Sequence, residues 1–575
     1  MKRWILLAGI VVLGVAAVVV SERHKVDTPA SPAALLYLVA DTEQELTRMP
    51  VRFTRMSDEE EIRIGDQLAR MYSEEISGRN KQAETLTIER YLQQVGGALA
   101  SRAHRRLPYR FHYLPNQYMI NAFALPGGHV YVGGGLLALM DSEDELSAVI
   151  GHELEHIDHY DCADRAQQEQ ALRKIPLGGL IAIPIEVFEA GYSKQQELDA
   201  DRDGTRLAVE AGYSANGAIR MFETFDRLYQ KYRAVQGHGA AKTPQEELSS
   251  LALQTLQGYF RSHPLPSERI AQVQKMIASE GWPARPERDL AVAYIFWTAR
   301  AQAALKAKQY SQAEQLAARS LKMHPDQPHA QDTLARAQFT QAEFSEAAES
   351  YRKLLEADPQ KLDIVESYAM ALAAADRGTA AGEFRDWVES VRGEKPRNAQ
   401  LEQAGLSLLA GDLAAAHKFE AELQVRSDPW APDYVGELGW WYYLAGDYTR
   451  AAQLLDQAVQ QRPGAVKIWL RRAWAEIEIR RYSDAIQTAN NGALGEGPYE
   501  EHHQGEHAMA QAVAFWQAKE NEPALGDFDR ALAGQPEWGN QRWVKALYSP
   551  LVAQSVKEMQ AERERQKRAR MAERR

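Results

Sequence analysis

Apolar residues recur every three to four positions along most of the chain, the period of an amphipathic helix. The sharpest early case follows Ser142. Leu146, Val149, Ile150, Leu154 and Ile157 fall at helical spacing, and Ser142-Glu143-Asp144-Glu145 has the form of a capping box. The pattern predicts a helix over 143–159 with those five residues as its buried stripe. Just upstream the period changes to two. Asn121-Ala122-Phe123-Ala124-Leu125-Pro126-Gly127-Gly128 ends in turn residues, His129-Val130-Tyr131-Val132 alternates as a short strand, and Gly133-Gly134-Gly135 closes it. A second helical stretch starts at Gln195 and runs through Leu207 and Val209. From residue 289 small and apolar residues recur in helical pairs, with prolines at Pro325, Pro359, Pro396, Pro429, Pro463, Pro498 and Pro536. The intervals are 34, 37, 33, 34, 35 and 38 residues.

That period is the signature of the tetratricopeptide repeat. Leu438-Gly439, Tyr442, Ala451, Leu455, Ala458 and Pro463 form the best copy. Trp297, Ala301, Ala313 and Pro325 mark the first, and Leu334-Ala335, Ala347, Tyr351 and Pro359 the second. Seven copies are predicted, those around Pro396 and Pro536 being degenerate in spacing. One helix pair cannot bury its face alone, so the copies stack into a superhelix with a concave binding surface. Trp440, Trp441 and Tyr443 read as packing residues at helical spacing, with a place in the groove as the alternative. His502, His503 and His507 read as a solvated loop, and the alternating charges from Val556 to Arg575 as an exposed helix or a disordered end.

Charge and composition narrow the function. The net charge is −12 with 45% apolar residues, and no basic stripe appears, which argues against a nucleic-acid partner. The single cysteine, Cys162, allows no internal disulfide. Lys2-Arg3 precede seventeen uncharged residues, Trp4 to Val20, the layout of an export signal or of a short membrane anchor. Either way the bulk of the chain is expected beyond the inner membrane, in the periplasm, soluble or held by residues 4–20. The expected divisions are 1–25 signal or anchor, 26–50 linker, 51–288 enzyme domain, 289–550 repeat solenoid and 551–575 charged tail. Leu177 to Val187 is oddly apolar, and reads as a lid, a membrane-touching hairpin or a buried pair of short elements.

The candidate chemistry lies at His152-Glu153-Leu154-Glu155-His156. Two histidines four apart share one helix face, where both imidazoles can hold one Zn²⁺ with the intervening glutamate beside the open position. Catalytic zinc takes three protein ligands, and Glu197 can supply the third. Asp201, one turn on, can accept the free N–H of a ligating histidine. His129, Val130, Tyr131 and Val132 are the expected substrate-binding strand, since a peptidase holds its substrate extended against a strand edge.

Taken together, Asn121 to Gly128, His152-Glu153-x-x-His156 and Glu197-x-x-Ala200-Asp201 resemble one family. It is the zinc metallopeptidase family that includes CAAX prenyl endopeptidases, HtpX heat-shock proteases and the bacterial beta-barrel assembly-enhancing proteases. The likeness runs from Ser57 to Gln274, through Ile62-Arg63-Ile64-Gly65 and Ser262-His263-Pro264-Leu265-Pro266-Ser267-Glu268-Arg269. It implies a mainly α chain, with a zincin-like α+β domain carrying a small sheet, followed by the α-solenoid. It also implies one zinc per chain on His152, His156 and Glu197, with Glu153 catalytic and Asp201 supporting. His263 is implied near the site, as oxyanion donor or as an inhibitory fourth ligand. Relatives often carry a histidine five residues after the second ligand, where this chain has Asp161. The expected function is a zinc endopeptidase of envelope proteins, in quality control or outer-membrane protein assembly, with the repeats docking substrates or an assembly machine. The alternative is a repeat-based periplasmic chaperone or scaffold with a vestigial protease domain.

Overall fold

The computed structural model describes residues 56–76, 83–116, 119–173, 186–189, 192–235, 266–425, 431–493 and 501–573. The expectations for residues 1–50, for His263 and for the apolar stretch 177–185 lie outside the described residues. The chain is mainly α with one small sheet, and it packs as two units. One comprises residues up to Leu136 with Ser142–Arg288, the other Leu137–Asp141 with Asp289 onward. Among the described residues no helix is long and apolar enough to cross a membrane.

The first unit contains α1 (Asp58–Ile76), α2 (Ala83–Ala100), β1 (Arg110–Leu114), β2 (Ala122–Leu125) and β3 (His129–Gly133). After the short α3 (Gly134–Leu137) come α4 (Glu143–Asp158), α5 (Asp161–Arg173), α6 (Glu186–Glu189), α7 (Lys194–Glu210), α8 (Asn216–Val235) and α9 (Pro266–Glu280). The strand order is β1-β3-β2, with β1 parallel and β2 antiparallel to β3. The Pro126-Gly127-Gly128 turn joins β2 to β3, and both glycines have positive φ (77° and 101°). A Cβ on Gly127 would meet Ile62 Cα at 2.6 Å, so the turn is pressed onto α1 and only glycine fits. Ile64 and Leu68 of α1 then bury against Phe123, Leu125 and Tyr131.

The predicted capping box is present at the start of α4: Ser142 Oγ accepts from Glu145 N at 3.2 Å, and Glu145 Oε2 accepts from Ser142 N at 3.0 Å. Leu146, Ile150, Leu154 and Ile157 are fully buried. Val149 departs from the expected stripe; it is half-buried and faces a small cavity beside His152 and Glu153.

In the second unit seven helix pairs follow one another among the described residues. They are α10 (Ala293–Lys306) with α11 (Tyr310–Met323), α12 (Pro328–Thr340) with α13 (Phe344–Ala357), and α14 (Leu362–Ala375) with α15 (Ala380–Ser390). Next come α16 (Ala399–Leu409) with α17 (Leu413–Val425), α18 (Ala431–Leu444) with α19 (Tyr448–Gln461), α20 (Val466–Glu478) with α21 (Tyr482–Ala493), and α22 (Glu501–Gln517) with α23 (Asn521–Gly534). The small repeat residues sit where helices touch: Ala301, Ala313, Ala335, Ala347, Ala451 and Ala458 are fully buried. Within a pair the turn passes through a left-handed residue, at Lys308, Ala342, Gly411, Gly446, Arg480 and Lys519. The α14–α15 turn has none, and it belongs to the copy whose spacing to Pro396 is irregular.

Two expectations are corrected in this unit. His502, His503 and His507 are helical, within α22. Gly505 is there for close packing and not for a turn, since a Cβ on it would meet Gln535 Cγ at 2.7 Å. Trp441 and Tyr443 are buried as packing residues, whereas Trp440 stacks on Tyr443 at 4.6 Å and also lines a cavity of about 240 Å³ with Tyr351, Lys467 and Arg471. The charged tail is not free from its start. After a 3₁₀ turn (Pro536–Gly539) and α24 (Gln541–Leu547), α25 (Pro550–Glu573) buries Val552, Val556 and Met559 before it becomes exposed.

Candidate metal centre

Two helices carry the site, and glycines set their spacing. A Cβ on Gly151 of α4 would meet Gly204 O of α7 at 2.6 Å, and one on Gly204 would meet His152 N at 2.6 Å. The backbones therefore cross almost in contact, which lets short side chains from α7 reach the histidines of α4. Both glycines stand inside helical stretches, where they weaken the helix unless packing needs them. That signal was visible in the sequence and went unused.

At the crossing His152, His156 and Glu197 converge. The two Nε2 atoms are 3.2 Å apart, and the Glu197 carboxylate oxygens stand 3.4 Å from His152 Nε2 and 3.8 Å from His156 Nε2. All three side chains are buried. Each imidazole is oriented through its other nitrogen. His152 Nδ1 bonds Asp201 Oδ1 at 2.8 Å. His156 Nδ1 bonds Asp161 Oδ2 at 2.9 Å. Asp161 thus orients a candidate ligand, a role that the sequence reading did not give it although its position relative to His156 had been noted. A left-handed Tyr160 (φ 67°) between α4 and α5 turns the chain so that Asp161 folds back. Gln196 Nε2 donates to the other Asp161 oxygen at 2.6 Å, and Gln196 also completes the capping box of α7 with Ser193.

Arg269 was also missed, although it lies in the quoted motif. It is buried and grips Asp201 with two bonds, Nε to Oδ2 at 2.6 Å and an Nη to Oδ1 at 2.5 Å, and its guanidinium lies 4.1 Å from the Phe222 ring centroid. Burial works to raise the Asp201 carboxyl, but Arg269 and His152 outweigh it and hold it at about 2. Burial likewise disfavours charge on His152, yet the Asp201 and Glu197 carboxylates hold its proton up to about 10. Burial lowers His156, which keeps it the neutral imidazole that a metal needs. The pocket thus favours positive charge, and its donors are two imidazole nitrogens and a carboxylate within 3.8 Å. A divalent metal fits that set.

Glu153 lies next to this cluster. With His152, Asp201, Ala122 and Val149 it lines a cavity of about 30 Å³, room enough for water.

The strand expectation is corrected. His129, Val130, Tyr131 and Val132 are buried in β3, the central strand, whose two edges pair with β1 and β2. His129 bonds Asp66 and His112, each at 3.0 Å. The alternation that marks a strand says nothing of its place in a sheet, and β1, which adds in parallel, went unrecognised. Among the described residues the outer edge of β2 pairs with no strand. Ala122 of β2 lines the Glu153 cavity, and the adjacent Asn121 has a buried Oδ1 with no partner among the described residues.

Residues 87–277 match the profile of Peptidase family M48, and residues 298–361, 333–399 and 442–503 match tetratricopeptide repeat profiles. The chain is similar to the putative beta-barrel assembly-enhancing protease of Vibrio cholerae, 30% identical over 236 residues, covering 37% of this chain and 43% of that one. The beta-barrel assembly-enhancing protease of Escherichia coli (strain K12) is 25% identical over 238 residues, again 37% of this chain and 43% of that one. The mitochondrial metalloendopeptidase OMA1 of Arabidopsis thaliana is 29% identical over 121 residues, 20% of this chain and 25% of that one. The alignments therefore span less than half the length of these curated relatives.

Proposed function

Starting from a Peptidase M48 domain joined to tetratricopeptide repeats, we propose a zinc-dependent endopeptidase that cuts protein substrates in the cell envelope. The observation that carries this reading is the convergence of His152, His156 and Glu197 beside the cavity that Glu153 lines. These three residues would hold one zinc ion, with Asp201 and Asp161 fixing the imidazoles. A zinc ion there supplies Lewis acidity for water and for the scissile carbonyl. Glu153 takes the proton of the attacking water and returns it to the leaving nitrogen. The edge of β2 that pairs with no strand among the described residues holds the extended substrate, and Asn121 Oδ1, unpartnered among those residues, accepts a substrate main-chain N–H. The helix pairs dock substrates or an assembly partner. Names of the bacterial relatives join barrel assembly to proteolysis, and we extend that to quality control or outer-membrane protein assembly for this chain.

The test uses the full chain, zinc analysis and an unfolded protein substrate such as casein. The Glu153→Gln variant should keep its zinc and lose about 10²–10⁴-fold in cleavage rate. Cleavage by that variant at the wild-type rate would remove the assigned mechanism. A zinc-loaded wild type that cuts nothing, yet suppresses aggregation of unfolded proteins, would favour the chaperone reading.

A further inference from the structure

The α4–α7 pair carries a second cluster. Glu155 of α4 and His159, which caps the C-terminal end of that helix, are one turn apart, and Asp203 of α7 reaches them. His159 Nε2 stands 3.3 Å from Glu155 Oε2 and 3.3 Å from Asp203 Oδ2. We propose that Glu155, His159 and Asp203 form a second divalent-cation site, suited to zinc, distinct from the His152 cluster.

Distances in the same two helices calibrate this. Where an imidazole nitrogen shares a proton with a carboxylate, at His152 Nδ1 and His156 Nδ1, the separations are 2.8 and 2.9 Å. That is the charge-assisted range, about 2.7–2.9 Å. Where nitrogens face the candidate metal position, the separations are 3.2–3.8 Å. Donors bound at about 2.0–2.1 Å with tetrahedral angles stand about 3.3 Å apart. Both His159 contacts fall at that value, longer than a shared proton would hold them. One imidazolium proton also cannot serve two carboxylates, whereas one dication can.

Glu155 provides a second observation. Its side chain is 3% exposed, and among the described residues its carboxylate contacts no cation or donor except His159. A carboxylate so deeply buried with no donor outside its own cluster lacks the compensation that buried charge needs. Asp203 differs. Arg202 grips it at 2.6 and 2.9 Å, and Arg206 at 2.9 Å. Those guanidiniums aim the carboxylate but offset its charge, so the second site binds more weakly than the first. His159 and Asp203 are partly exposed, which leaves room for water as a further ligand.

Zinc binding to the full chain, measured by equilibrium dialysis with metal analysis, tests this. Wild type should take up two zinc ions per chain, the second more weakly. His159→Ala and the isosteric Glu155→Gln should each take up one, with the tight ion retained. His156→Ala, which disrupts the first site, should retain the weak ion whether or not the chain is a peptidase. The second equivalent should also raise the melting temperature of wild type but not of Glu155→Gln, because it ties α4 to α7. Saturation of wild type at one ion would overturn the proposal. So would a weak second ion that persists in both His159→Ala and Glu155→Gln.

Discussion

In the first unit two imidazole nitrogens at the α4–α7 crossing face each other, while the other nitrogen of each ring meets a carboxylate. His152 Nε2 and His156 Nε2 point at each other and at the Glu197 carboxylate, which also accepts from Tyr192 N at 2.7 Å. In the repeat unit the buried cations meet carboxylates. Arg471 makes two bonds to Glu437, at 2.5 and 3.0 Å, Lys467 pairs with Glu366 and Glu437, and Trp441 Nε1 donates to Glu402 at 3.1 Å. Desolvation weighs on both regions, but the second is held by ion pairs of its own, whereas the first also gathers three metal-donor groups around one point. Convergence of metal-donor groups from two helices, rather than burial alone, distinguishes a candidate binding site from a structural network.

The comparison breaks most severely at Gly204. A methyl group there would stand 2.6 Å from His152 N and push the two helices apart. Gly204→Ala should cost about 1–3 kcal/mol in stability by overpacking. A shift of about 1 Å at the crossing should also lower cleavage by about 10²-fold, with zinc affinity falling alongside, measured by chelator competition. Gly439→Ala is the control from the repeats, since its Cβ would meet the Leu455 side chain at 2.8 Å. It should destabilise the repeats and leave zinc affinity unchanged. Equal loss of zinc affinity in both variants would defeat the idea that only the first region is open to the ion.

Next in size is the closed network. Glu437→Gln removes one partner of a buried pair, and about 3 kcal/mol, the low end for such a break, is expected. The low end applies because burial and Glu437 together push the Glu402 carboxyl well up, so the substitution relieves Glu402. Hydrogen exchange should accelerate about 100-fold across α18 and α20 and stay unchanged across α4 and α7. The effect depends on pH. Burial works to raise Glu437, but Arg471 and Lys467 hold it at about 2, below its ordinary value of 4.5. A carboxyl depressed on folding stabilises above its unfolded value and loses that contribution as pH falls through its folded one. The wild-type melting temperature should therefore drop more steeply than that of Glu437→Gln between pH 4.5 and 2. Parallel acid limbs would show that this pair does not hold the repeats.

The same contrast explains what could be read from residues alone. Periodicity located α4, α7 and the helix pairs, because burial of one face imposes it on the sequence. The H-E-x-x-H spacing placed the paired histidines on one helix face because one helical turn is a local property. What escaped depends on packing between elements. Whether β3 is an edge or a centre is decided by β1. Gly151, Gly204 and Gly505 resemble helix breakers until the opposing backbone is in view. Asp161 and Arg269 act only through residues distant in sequence or across a turn.

Asp161 offers the smallest effect and the finest test. Its two oxygens have different duties, one accepting from His156 Nδ1 and the other from Gln196 Nε2. Asp161→Asn keeps the shape but leaves one acceptor where two donors arrive. If the amide oxygen turns to His156, its NH₂ meets the NH₂ of Gln196. Gln196 cannot flip freely, because its Oε1 already accepts from Ser193 N at 3.1 Å and Ser193 Oγ at 2.7 Å, which caps α7. The substitution must therefore loosen either His156 or the start of the helix that carries Glu197. Zinc affinity should fall by about tenfold, the lower bound for loss of a ligand-orienting partner, with faster amide exchange at Gln196 and Glu197. Gln196→Ala should speed the same exchange, yet lower zinc affinity less, because the His156 bond survives. If Gln196→Ala proves the more damaging to zinc binding, then Asp161 serves the cap of α7 and not the imidazole.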